Sequence, residues 1–191
     1  MERNPFKWFE VYLSGKMFLM LVLGFSSGMP LALTGTTLSA WLVAEGVDIK
    51  TIGLYSLVGL PYAFKFLWSP LMDRFVPPFL GRRRGWMLFT QLALIITICA
   101  MGFCNPSSMP ILIAAVALAL AFFSASQDIV LDAYRTEYLR PEERGAGVGV
   151  WIMGYRIALL VGGALALILS DRVSWKIVYC FMGLFMVIGC I

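Results

Sequence analysis

The chain has 191 residues, of which 60% are apolar and 14% charged, with a net charge of +4. Soluble domains carry about 25% charged residues, so this composition excludes an ordinary water-soluble domain and points to an integral membrane protein. Histidine is absent, which removes the commonest general base and the commonest metal ligand; no metal site is expected. Cys99, Cys104, Cys180 and Cys190 lie within or at the ends of apolar runs without zinc or redox spacing, and read as packing residues.

Taken in order, residues 1–16 carry Arg3, Lys7 and Lys16 among Pro5, Phe6, Trp8, Phe9 and Tyr12. This is the pattern of a basic, aromatic interfacial segment. The first apolar run, 17–44, is too long for a signal-peptide core and lacks a cleavage pattern, so it reads as an uncleaved span. Gly24, Gly28 and Pro30 interrupt it, and Ser26, Ser27, Thr34, Thr36, Thr37 and Ser39 make it rich in hydroxyls. Two readings stay open: close helix packing through the glycines, or the lining of a wet cavity. Further helices are predicted over 51–72 (with Pro61 and Lys65), 86–104, 109–134 (with Gln127, Asp128 and Asp132), 145–169 (glycine-rich, with Arg156) and 175–191. The last is still apolar at Ile191, which reads as half of a longer protein. Residues 1–191 form one membrane domain in this reading.

Charge sets the orientation. Ten of the fifteen lysines and arginines fall in the N-terminus and the loops 73–85 and 135–144; Lys50, Arg172 and Lys176 lie on the other side, and Lys65 and Arg156 within spans. Positive charge marks the cytoplasmic side, so the N-terminus and both basic loops are expected there. The net charge is thereby explained by topology, and no nucleic-acid partner is implied. The 17–44 and 109–134 spans play similar roles, each followed by a helix with one buried cation, as in a 3+3 inverted repeat.

A charge at the bilayer centre costs about 2.5–3.5 kcal/mol, so it faces a partner or a wet cavity. At ~1.5 Å per residue, Lys65, Asp128 and Arg156 lie ~10–16 Å from the cytoplasmic edge. They are expected to meet in one cluster, with Gln127 and Tyr155 beside it. Satisfied ion pairs holding the bundle are one reading of this cluster. A polar pocket for a charged or sugar-like substrate is the other, and the excess of cations suits an anionic one. Two cations beside Asp128 favour its charged form, which argues for Asp128 as a structural partner or for a proton site elsewhere. Asp132, one turn nearer the cytoplasm, is expected to meet Arg74 or the arginine run.

The stretch Asp73-Arg74, then Gly81-Arg82-Arg83, resembles the loop signature G-x-x-x-D-R-x-G-R-R of the major facilitator superfamily. Ser69 replaces its first glycine, and Val76-Pro77-Pro78 lengthen the loop. The resemblance implies a cytoplasmic latch made by Asp73, Arg74, Arg82 and Asp132. GFSSGMPLALTGTTLSAWL (24–42), FKFLWSPLMDRFVPPFLGRRRGW (64–86) and SASQDIVLDAYRTEYLRPEERGAG (124–147) together resemble the AmpG permeases of that superfamily. That resemblance implies an all-α transmembrane fold, the six-helix N-terminal bundle of a transporter in the bacterial inner membrane. It also implies proton-driven import of anhydro-muropeptides for cell-wall recycling, a link to β-lactamase induction, no cofactor beyond the proton gradient, and a C-terminal half-bundle as partner. Lys65, Gln127, Asp128 and Arg156 are the expected polar contacts to substrate, with Tyr62 and Tyr155 as candidates for sugar stacking. Related acetyl-CoA transporters share the lysine-to-arginine-run stretch and give the nearest alternative substrate class, beside another anionic-solute facilitator or a half-bundle that binds partners without moving solute. A membrane enzyme is disfavoured, because no nucleophile stands beside an evident base.

Overall fold

The computed structural model describes residues 11–78 and 80–190. Most of the expected interfacial segment at 1–16 lies outside them. The described residues are helical, with no strand among them. Four helical stretches are long and apolar enough to cross a membrane: Gly15–Ala44, Arg82–Gly102, Pro110–Tyr138 and Arg144–Ser170. A shorter apolar helix covers Trp175–Cys190.

The first stretch is two helices, α1 (Gly15–Thr34) and α2 (Thr36–Ala44). Pro30 removes one backbone donor, yet the break falls at Gly35, whose backbone leaves the helical region (φ −96°, ψ −101°). The Thr34 hydroxyl donates back to the Pro30 carbonyl at 2.9 Å, one turn earlier. The stretch expected as one helix over 51–72 is a segmented rod. It runs as α3 (Ile49–Tyr55), a tight 3-10 turn, α4 (Leu60–Phe64), a second tight turn at Lys65–Leu67, and α5 (Ser69–Arg74). Asp48 caps α3, its Oδ1 accepting from the backbone of Lys50 and Thr51 at 2.8 and 3.1 Å. Pro61 and Pro70 stand in the first turns of α4 and α5, where their missing donors cost least.

Three long helices complete the bundle: α6 (Arg82–Gly102), α7 (Pro110–Tyr138) and α8 (Arg144–Leu160). A π-type turn, Val161–Leu165, extends α8 into α9 (Ala166–Ser170); α10 (Trp175–Met186) tightens to a 3-10 turn at Val187–Cys190. The small residues decide which helices meet. A Cβ at Gly24 would strike the Trp151 carbonyl, one at Gly154 the Leu21 carbonyl, and one at Gly28 would come within 2.7 Å of the Tyr155 carbonyl. Helices α1 and α8 therefore lie backbone against backbone, the use of small residues typical of membrane bundles. The Thr37 hydroxyl ties α2 to this pair by donating to the Gly162 carbonyl at 2.6 Å.

The buried apolar residues fall into two clusters. One holds Met29, Leu33, Trp41, Leu94, Ile98, Leu120 and Tyr179. The other, nearer the basic end, holds Met17, Met20, Leu23, Met87, Val130 and Trp151. Between them three helices insert polar residues: Ser26 and Ser27 from α1, Thr90 and Gln91 from α6, Ser124, Ser126 and Gln127 from α7. Asp128 belongs to the same belt.

Candidate polar site

Residue Asp128 is the carboxylate of this belt. The Ser27 hydroxyl of α1 donates to its Oδ1 at 2.7 Å. The charge of Lys65, from the tight turn between α4 and α5, acts on it. No ion pair joins the two among the described residues, and Lys65 is only half-buried. Tyr62, one turn before Lys65, lies beside Ser124, Thr34, Asp128 and Tyr155. Its hydroxyl and that of Ser124 are buried without a well-formed hydrogen bond, as are Ser26 Oγ and Gln127 Oε1. Buried polar groups are nearly always paired. The Tyr62 and Ser124 hydroxyls therefore mark unspent hydrogen-bonding capacity beside Asp128 and Lys65, whereas Ser26 Oγ and Gln127 Oε1 lie on the side of Gln91 and Gly189. The region around Tyr62 and Ser124 is suited to a polar solute or to water.

The structure thus gathers Tyr62, Lys65, Asp128 and Tyr155, and adds Ser27, Thr34 and Ser124. It does not gather the whole expected set. Gln127 turns away, because neighbouring side chains on a helix point about 100° apart: its amide donates to Gln91 Oε1 on α6, and Gln91 donates to the Met186 carbonyl. Arg156 is exposed, and no ion pair joins it to Asp128 among the described residues. Gly154 and Tyr155 face α1, which swings the next side chain outward. The hydroxyl richness of the first span was the signal for Ser27 and Thr34. Ser124 had the helical signal of lying four residues before Asp128 on the same face.

At the basic end the expected latch has a different centre. Arg83, rather than Arg82, spans Asp73 (2.7 Å) and Glu137 (2.7 Å), and Arg82 stands 4.0 Å from Glu137. Asp132 pairs with Arg135 three residues on, at 3.0 Å, instead of with Arg74 or the arginine run. Arg135 is drawn that way by lying over the Trp151 ring, 5.0 Å from its centroid. Arg74 forms no ion pair among the described residues. Gly81 precedes α6 with φ 76°, a left-handed conformation that explains glycine in this motif. A second cluster joins α1 to the loop before α8: Glu143 accepts from Lys16 at 2.9 Å and from Arg140 at 2.7 Å. Arg140 first, then Lys16, hold the Glu143 carboxyl down at about 2, against an ordinary 4.5.

Residues 20–191 match the Major Facilitator Superfamily. The chain belongs to that superfamily. It is a multi-pass membrane protein with the helical fold of these transporters. It is 52% identical over 177 residues to the anhydromuropeptide permease of Escherichia coli (strain K12), covering 92% of this chain and 36% of the permease. An uncharacterised protein of Haemophilus influenzae is 45% identical over 174 residues, 91% of this chain and 41% of that one. The chain therefore spans well under half the length of these curated relatives.

Proposed function

We propose that this chain is the N-terminal six-helix half, arranged as a 3+3 inverted repeat, of a proton-coupled importer of anhydro-muropeptides. It works in the bacterial inner membrane with its N-terminus and basic loops in the cytoplasm. A C-terminal half-bundle completes the cavity, and the imported products feed cell-wall recycling and β-lactamase induction. One observation carries the reading: a chain 52% identical to an anhydromuropeptide permease has a carboxylate in its polar belt with one hydroxyl donor and unpaired hydroxyls near it.

The chemistry fits that substrate class. Lys65 and the exposed Arg156 are cations for the lactyl and peptide carboxylates. Tyr62 and Tyr155 supply ring faces and hydroxyls to sugars. Asp128, with a single close donor, is the group able to change protonation during transport. The ion pairs of Arg83 with Asp73 and Glu137 lie where a gate on the cytoplasmic side would open, with Arg74, Gly81, Arg82 and Asp132 around them.

The test is uptake of a labelled anhydro-muropeptide by intact cells carrying the complete gene. Uptake should be lost in Lys65→Ala and strongly reduced in Arg156→Ala, with both proteins still in the membrane. Collapse of the proton gradient should stop accumulation. Accumulation that survives collapse removes proton coupling, and normal uptake in both variants removes the proposed contacts. Arg82→Cys should react with an impermeant thiol reagent only from the cytoplasmic side.

A further inference from the structure

We infer that Gln91 is a positioning residue: through Gln127 it sets the rotation of α7 that aims Asp128 at Ser27. The inference rests on Asp128 being a working group of the proposed site, but its test does not depend on transport.

The Met186 carbonyl at the end of α10 accepts a hydrogen bond from a side chain of α6. Gln91, on α6 and fully buried, donates its amide to that carbonyl. With its donor committed, its Oε1 faces α7 and accepts from Gln127, which is 2% exposed. The relay has a direction: the order of donors and acceptors leaves the Gln127 oxygen as the free end. Three helices are thus keyed together by two amides at the level of the polar belt, away from the Arg83–Glu137 ion pair at the basic end.

Apolar contacts between α6 and α7 tolerate small rotations, and a pair of buried amides does not, because breaking it strands polar atoms away from water. Gln127 and Asp128 are adjacent on α7, so fixing one fixes the other about 100° round the axis. A rotation of roughly 20° would carry a side-chain atom ~5 Å from the axis by about 2 Å. That distance is enough to break the 2.7 Å bond from Ser27.

The experiment uses the full-length protein in detergent or vesicles, with site-resolved carbodiimide modification of Asp128 read by mass spectrometry and Asp128→Asn as the blank. Gln91→Leu strands the Gln127 donor and should lower thermal stability. The double variant Gln91→Leu/Gln127→Leu removes both partners and should recover much of that stability. A positioning role requires that the modification rate of Asp128 change severalfold in Gln91→Leu and stay changed in the stability-recovered double variant. A rate that returns to the wild-type value with stability, or that never changes in Gln91→Leu, overturns the inference. Failure of muropeptide uptake in the wild type would sink the proposed substrate and leave this measurement standing.

Discussion

At the basic end, Glu143 takes donors from Lys16 and Arg140, and Arg83 spans Asp73 and Glu137. In the polar belt, Asp128 has one hydroxyl donor and its neighbours Tyr62 and Ser124 keep unpaired hydroxyls. The two regions hold similar residue types and differ in how far their bonding is spent. At the basic end Asp73, Glu137 and Arg140 are exposed, so their charges cost little to place and pair freely. In the belt every charge carries a desolvation cost, and partners left unused there remain available to a solute. Paired charge thus reads as architecture or gate, and unpaired buried polarity as binding capacity.

The comparison can be broken experimentally. Beside the loss expected of Lys65→Ala, a large effect is expected from Asp128→Asn, which should cut uptake in the full-length protein by well over tenfold, more than about 1.4 kcal/mol, with membrane insertion and thermal midpoint nearly unchanged. A variant that transports normally would make the belt architectural after all. Ser27→Ala comes next: removing a hydrogen bond to a charged group is worth about 1.5–3 kcal/mol, so uptake should fall roughly tenfold or more while the basic-end ion pairs stay intact. Arg83→Ala removes both of its ion pairs, but exposed pairs contribute about 0.2–1 kcal/mol each. Its thermal midpoint should drop by a few degrees and its uptake less than that of Ser27→Ala. A loss equal to that of Asp128→Asn would erase the distinction between the regions.

The smallest effect concerns pH. The Glu143 carboxyl is depressed to about 2 in the folded chain from an ordinary 4.5. Its stabilisation is therefore complete above pH 4.5 and is lost as pH falls toward 2. Thermal midpoints taken across that window should fall more steeply in the wild type than in Glu143→Gln. Parallel curves would show that Lys16 and Arg140 do not hold the carboxylate.

Several decisions were readable in the residues alone. Apolar runs of sufficient length and a small share of charge require a membrane bundle, because lipid is the only phase in which such surface is stable. The placement of Asp128 and Lys65 at similar depth followed from counting along helices of fixed rise. The small residues Gly24 and Gly28 announced close packing. Two readings of the first span had been left open, packing and cavity lining, and α1 serves both: its glycines meet α8, and Ser27, three residues after Gly24, reaches Asp128.

What only the tertiary structure decided is rotation and partner choice. Depth is a one-dimensional quantity that sequence carries, but the direction a side chain faces depends on which helix lies opposite. Gln127 and Asp128 are neighbours in the chain and face different helices. Arg156 shares its depth with Asp128 yet is turned outward by the Gly154 contact with α1. Arg83 found Glu137 rather than Asp132, because Asp132 had Arg135 within one turn. Hydropathy and helical rise specify how far each group lies from the membrane surface; the interlocking of backbones at glycine specifies which groups meet there.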